Sequence, residues 1–298
     1  MTIRVNPNII PDILAGLDVV QQQLNTSDLQ LASGQSINSP SDNPSGTAQL
    51  VLNKAAQNQV DTFQTNISDL QTKLNTADSA LSSAVNAVNQ AISLGVEAGN
   101  SGLSDQQRQA IAQQLTGIQQ QLIGIGNTSS GNTYLFAGTL VETPPFVADN
   151  TVPAGVDYNG NTSVTSVELQ NGENVNTNVP GNQLFLNPSG SLLGTLNQLI
   201  TAVQTNVGIG TASTNFGQAA TVFESQRQFY GVTLDQLQST STFLNSESVQ
   251  LTTQQTNIAG ADLAKVASNF SQSQVAYESL IQAEGDILKL PNLLSYIE

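Results

Sequence analysis

The sequence contains no cysteine, no histidine and no tryptophan, and only 7 basic residues among 298. Each absence removes a class of function. Without Cys or His there is no disulfide framework, no thiol nucleophile, no zinc site of the usual type and no imidazole for acid–base catalysis. No cofactor is expected. With 22 acidic residues against the 7 basic ones, the net charge is −15. Nucleic acids and anionic membrane surfaces both require clustered Lys and Arg, so neither is expected as a partner. Charged residues make up 10% of the chain, against a usual share of about 25%. The polar surface must therefore come from Gln, Asn, Ser and Thr. No run approaches the roughly 18 apolar residues of a membrane span. The start, Met1-Thr-Ile-Arg-Val-Asn-Pro7, has no apolar core of signal-peptide length. If the chain is exported, a route without a cleaved secretory signal is expected.

Proline is missing where it matters most. Four prolines lie before residue 45, five between 144 and 188, and Pro291 stands alone near the end. Proline in a helix interior costs about 3 kcal/mol, so the two long gaps are where long helices fit. Both gaps carry an apolar repeat of helical period. Near the start, Ile10, Ile13, Leu17, Val20, Leu24, Ser27 and Leu31 alternate in steps of three and four. That is a heptad seam with one polar slot. Ser33-Gly34 ends it, and Asn38 to Pro44 reads as a loop in which Ser41 or Asp42 caps the next helix.

The second arm steps through Val60, Phe63, Ile67, Leu70, Leu74, Ala77, Leu81, Ala84, Val88, Ala91, Gly95 and Ala98. A sustained 3.5-residue period predicts a supercoiled pairing. Gly99 to Gly102 breaks it, and Ser104 caps a third helix through Ile111, Leu115, Ile118, Leu122 and Ile125. The middle changes character. Asn159-Gly160 and Asn171-Gly172 read as hairpin turns flanking the strand-like Ser163-Val-Thr-Ser-Val-Glu-Leu169. Helix returns at Ser189. After a looser stretch, Val207 to Thr214, a long arm runs from near Phe216 through Phe223, Tyr230, Leu237, Leu244 and Leu251. The last arm carries Leu263, Val266, Phe270, Ser273, Tyr277, Leu280, Glu284 and Ile287, and leads to Leu290, Leu293 and Leu294.

The fold class is therefore mainly α: a long antiparallel helical rod or coiled coil formed by the N- and C-terminal arms, with a small β-rich insertion in the middle. The division expected is 1–40 N-terminal arm, 41–137 first half of the rod, 138–187 insertion, 188–256 second half, and 257–298 C-terminal arm. The inner arms can also be read as an ordinary helix bundle that buries its seams internally. The terminal arms are single seams at opposite chain ends, so each wants a partner. Residues Ile10, Ile13, Leu17, Val20, Leu24 and Leu31, and at the other end Leu263, Val266, Phe270, Tyr277, Leu280, Ile287, Leu290, Leu293 and Leu294, are the subunit-interaction candidates.

Chemical motifs are weak. Gly124-Ile-Gly126 and Gly208-Ile-Gly210 lack the strand and the further residues of a phosphate loop, and read as helix ends or turns. The acids Asp149, Asp157, Glu168 and Glu173 of the insertion have no paired spacing that marks a glycosidase.

Three stretches carry a resemblance. Gln30-Leu-Ala-Ser-Gly-Gln-Ser-Ile-Asn-Ser-Pro-Ser-Asp-Asn-Pro-Ser-Gly46 resembles the N-terminal signature of the bacterial flagellin superfamily. Ile37, Asn38, Ser39, Pro40, Ser41, Asp42, Pro44 and Gly46 form the signature loop, in a version similar to the hook-associated protein 3 branch. Gly131-Asn-Thr-Tyr-Leu-Phe-Ala-Gly138 with Pro144-Pro-Phe146, and Ala261-Asp-Leu-Ala264, Ser271-Gln-Ser-Gln-Val-Ala-Tyr277 and Leu290-Pro-Asn-Leu-Leu-Ser-Tyr-Ile297, resemble later parts of that branch. Relatives often carry a basic residue where Ser36 stands.

The resemblance implies terminal helices paired as an inner layer, an outward-facing insertion and a non-enzymatic, extracellular role in the flagellum. It implies unfolded export through the flagellar type III channel. It also implies partners: further copies in a homo-oligomeric ring, hook-associated protein 1, flagellin and an export chaperone. The alternatives are flagellin itself, the bulk filament subunit, and a secreted enzyme with its site in 138–187.

Overall fold

The structure is a computed structural model, and it describes residues 9–288 apart from 150 and 171. Its elements in chain order are α1 (Ile9–Ser33), α2 (Pro44–Ala98), α3 (Asp105–Gly126), β1 (Ser129–Ser130), β2 (Thr133–Tyr134), β3 (Phe146–Ala148), β4 (Val156–Tyr158), β5 (Ser166–Gln170), β6 (Glu173–Asn176), α4 (Gly181–Phe185), α5 (Leu192–Thr205), α6 (Ile209–Ala259) and α7 (Leu263–Leu288). The chain divides into two compact units. One comprises residues 1–59 and 247–298, and the other residues 60–246.

The larger unit, 60–246, is built on the heptad column of α2. Val60, Ile67, Leu70, Leu74, Ala77, Leu81, Ala84, Val88, Ala91, Gly95 and Ala98 are buried, and Phe63 is half-buried. Opposite them on α6, Phe216, Phe223, Tyr230, Leu237 and Leu244 recur every seven residues and are buried. Arg227 on α6 pairs with Asp78 on α2, Nε to Oδ1 at 3.0 Å, and Gln64 Nε2 donates to Asn245 Oδ1 at 3.0 Å. These contacts run α2 and α6 antiparallel. At Gly95 an added Cβ would lie 3.1 Å from Leu199, so the softening of the seam to small residues is what admits α5. Helix α3 packs on α5 through Ile111, Leu115, Ile118 and Leu122. The Ser104–Gln107 capping box opens α3 as the sequence predicts. Gly126 closes it, and Asn127 caps it.

Three two-stranded antiparallel ribbons, β1–β2, β3–β4 and β5–β6, follow. They do not stand apart from the helices. Phe136, Phe146 and Phe185 are buried with Phe223 and Tyr230 of α6, ring centres 5.2–6.4 Å apart in the successive pairs. Most of these pairs meet edge to face, the favoured aromatic geometry. The Phe-Ala-Gly138 motif is thereby explained. Phe136 and Ala137 are buried, and Gly138 turns the chain at φ +71 where a Cβ would strike Asn161. Phe146 lies where a Cβ on Gly126 or Gly181 would meet its ring at 2.6–2.7 Å.

Three local expectations are corrected. Asn159-Gly160 is not a hairpin turn. The Asn159 N–H continues the β3–β4 ladder to the Pro145 carbonyl at 2.8 Å, and Tyr158 Oη donates back to the Phe136 carbonyl at 2.9 Å. The looser stretch at 207–214 shrinks to a turn. Asn206 (φ 58) and Gly208 (φ +70) supply the left-handed backbone, and α6 begins at Ile209. The cap of α2 is neither Ser41 nor Asp42. Asn43 Oδ1 accepts the Gly46 N–H at 2.9 Å, and Pro44 occupies the first helical position.

Truncating Phe185 to alanine should lower the unfolding free energy of the larger unit by about 3–5 kcal/mol, read from denaturant titration; a loss under about 1 kcal/mol would refute the aromatic lid. Burial also pushes the Tyr230 hydroxyl above the ordinary tyrosine value, partly opposed by the Val179 N–H that it accepts. The folded state thus favours neutral tyrosine. Its contribution is complete below pH 10 and falls above that, as the unfolded chain ionises. Stability measured between pH 9 and 12 should decline, and Tyr230→Phe should flatten that decline.

Candidate assembly surface

In the unit formed by residues 1–59 and 247–298, α1 packs against α7. Leu280 lies 3.8 Å from where a Cβ on Gly16 would sit, and Gln35 forms an antiparallel bridge with Gly260. The two helices are therefore antiparallel, with low numbers of α1 beside high numbers of α7. Ile13, Leu17, Val20, Leu24 and Leu31 are half-buried and Ser27 is buried. On α7, Val266 and Ser273 are buried, and Phe270, Tyr277, Leu280 and Glu284 are half-buried. Leu263 does not join them. It is the first residue of α7 and is 52% exposed. The side chains of Ile10 and Ile287, and all of Leu290, Leu293 and Leu294, lie outside the described residues.

Half-burial follows from geometry. Two helices cover each seam from one side only, and a heptad seam needs a wider apolar surround. Further apolar side chains of the same helices, Leu14, Val19, Leu29, Val275 and Ile281, are exposed. Fully burying an exposed aliphatic side chain is worth about 1.5–3 kcal/mol. Completing the cover of a seam of this length is thus worth several kcal/mol.

The signature loop is a joint, not a chemical centre. Gly34 takes φ +69 at the end of α1, which the sequence anticipates. The Ser36 N–H donates to the Ala259 carbonyl at 2.6 Å, and the Ala261 N–H donates to the Gly34 carbonyl at 3.0 Å. Ser36 Oγ also donates to the Ala259 carbonyl, at 3.1 Å. That contact gives the departure at position 36 a local role. Asp42 Oδ2 accepts the N–H groups of Asn38 and Ser39 at 2.9 and 2.8 Å, and Asn38 Nδ2 donates to the Gln35 carbonyl at 2.9 Å. Ser39 and Ser41 share a hydroxyl bond of 2.7 Å, while Pro40 is exposed. Ile37 is buried over Gly46, where a Cβ would come within 2.6 Å of Ile37 Cδ1. Asp262 then caps α7, Oδ1 accepting the N–H groups of Ala264 and Lys265 at 3.1 Å each.

Two carboxylates of the central insertion, Asp149 and Glu168, each close a local turn. Asp149 Oδ1 accepts the hydroxyl and N–H of Thr151, which hold its carboxyl below the usual range. Glu168 Oε1 accepts the Gly172 N–H at 2.8 Å. Among the described residues no group of three His, Cys, Asp or Glu side chains is placed to hold a metal ion.

The family profile of the bacterial flagellin N-terminal helical region matches residues 12–140, and that of the bacterial flagellin C-terminal helical region matches 213–297. The chain belongs to the bacterial flagellin family. Solved structures of the same fold include a Vibrio parahaemolyticus protein assigned as a flagellar hook-associated protein. It is 16% identical, with a TM-score of 0.66, over 74% of this chain and 100% of that one. FlgL of Bacillus cereus is 21% identical, with a TM-score of 0.57, over 70% and 99%. The flagellar junction protein FlgL of Legionella pneumophila is 16% identical, with a TM-score of 0.60, over 71% and 100%. No curated protein sequence matches this flagellin-family chain. Among its described residues no helix is long and apolar enough to cross a membrane.

Sequence reading missed Asn43 and Asp262 as caps. Both are visible as Asn or Asp just before a proline or an apolar run. The joint predicts a selective lesion. Gly46→Ala should crowd Ile37 and destabilise this unit by about 1–3 kcal/mol. Amide exchange across residues 36–47 should speed up while residues 60–98 stay protected; unchanged exchange at 36–47 would show that Gly46 is not needed for the fit.

Proposed function

We propose that this flagellin-family chain is a non-enzymatic structural subunit of the bacterial flagellum that joins the hook to the filament. The observation that carries the reading is the half-open seam of the α1–α7 pair, with exposed apolar side chains on the same two helices and, among the described residues, no further element that buries it. The likeness in fold to hook-associated and junction proteins supports the same placement. In this reading the terminal helices of stacked copies close one another's seams, in an extracellular ring reached through the flagellar export channel. A contact of about 1,600 Å² is a typical specific interface. At about 25 cal/mol per Å² it yields tens of kcal/mol gross, much of which ordering and docking take back. The remaining partners are hook-associated protein 1 on one side, flagellin on the other, and an export chaperone on the C-terminal helix before assembly.

Immunogold electron microscopy of flagellated cells should place this chain at the hook–filament boundary. Label along the whole filament would make it the bulk flagellin, and no label on flagella would overturn the reading. Leu17→Asp or Leu280→Asp should leave the larger unit folded by circular dichroism and abolish assembly. Normal filaments from either variant would contradict seam closure.

A further inference from the structure

Stepping the α2 column back by seven from Val60 reaches Asn53, and by seven again Gly46. Both are buried, Asn53 at 7% exposure. A position that holds valine, isoleucine or leucine from Val60 to Val88 here holds an amide. Asn53 Nδ2 donates across to α6, to the Leu251 carbonyl at 3.1 Å and to Gln254 Oε1 at 3.3 Å. One turn further on, Gln57 Nε2 donates to Ser248 Oγ at 2.9 Å. Asn53 Oδ1 is buried and accepts no hydrogen bond. Of the larger apolar side chains of the same stretch, Val51, Leu52 and Val249 are exposed, while Leu50, Leu251 and Ile258 are half-buried.

In this stretch amides take the buried seam position, aliphatic cover is only partial, and Val51, Leu52 and Val249 lie in water. A hydrophobic seam resists opening because opening it exposes apolar surface. Here the apolar side chains are half-buried at most seam positions, so opening exposes less new apolar surface than along 60–98, where the column is fully buried. Opening hands Asn53, Gln57, Ser248 and Gln254 to water, and it gives the orphan Asn53 Oδ1 a donor. A polar residue at a core seam position trades stability for another property.

We infer that Asn53 and Gln57, with Ser248 and Gln254, form a releasable clasp. It lets the 44–59 stretch of α2 part from the 247–259 stretch of α6 while residues 60–98 stay closed. The inference goes beyond the flagellar reading and does not depend on it, since it concerns the isolated chain.

The test is amide hydrogen exchange on the purified full-length protein. In the parent, amides of 47–58 and 247–258 should exchange at least about tenfold faster than those of 60–98. Asn53→Leu, which converts the clasp into an apolar seam, should slow both clasp segments by about tenfold or more and leave 60–98 unchanged. Fraying at helix ends would be indifferent to this substitution. Parent exchange as slow at the clasp as at 60–98, or exchange that is unchanged or faster in Asn53→Leu, would overturn the inference. If circular dichroism shows that the leucine variant fails to fold, Asn53→Val, closer to asparagine in volume, carries the same comparison.

Discussion

Everything in this molecule rests on the burial of a 3.5-residue apolar seam between antiparallel helices drawn from distant parts of one chain. The same seam is closed to different degrees in the two units. Along α2 from Val60 to Ala98 it is covered on several sides. The heptad column of α6 faces it, α5 reaches it at Gly95, and the aromatic lid closes over α6 at Phe223 and Tyr230. Along α1 and α7 the seam has one partner, and its leucines remain half-exposed. Charge adds little. Asp78–Arg227 and Asp105–Arg108 form ion pairs. Both are partly exposed, and such pairs contribute about 0–1 kcal/mol. Pairing is left to shape and apolar contact.

The short motifs of the family turn out to be joints. Gly34, Ile37, Asp42, Pro44 and Gly46 end one helix, anchor a loop and begin the next. Phe136, Gly138 and Phe146 fasten the ribbons to the helices behind them. Each is fixed by a steric or hydrogen-bonding demand that few other residues meet.

The helices were legible because their signal is repeated. An apolar step of three and four over dozens of residues survives local exceptions, and proline-free gaps bound it. The α1 and α7 seam residues were found in the same way, except Leu263. It keeps the spacing but sits at the first residue of α7, where the partner helix has not yet come alongside. The ends of helices were harder to read. Asn43, and not Ser41 or Asp42, caps α2, and the choice among neighbouring polar residues depends on which side chain the loop turns inward. The ribbons were least legible. Asn159-Gly160 has the composition of a hairpin turn, yet Tyr158 and the ladder to Pro145 hold the chain extended there. The aromatic lid is long-range, so no local pattern reveals it. Asn53 was hidden for the opposite reason: a polar residue hides a column from anyone who traces only apolar ones.

The bond between Ser36 and Ala259 joins residues 223 positions apart. Loop closure of that length is slow and entropically demanding, and contacts of high sequence separation form late in folding. The larger unit is continuous from 60 to 246. The smaller one draws α1 and α7 from either side of it and cannot pair them until both are present. A chain emerging N-terminus first therefore presents α1 unpaired until α7 arrives, after every residue of the larger unit. Order of emergence makes the α1–α7 pairing late, whatever its final stability.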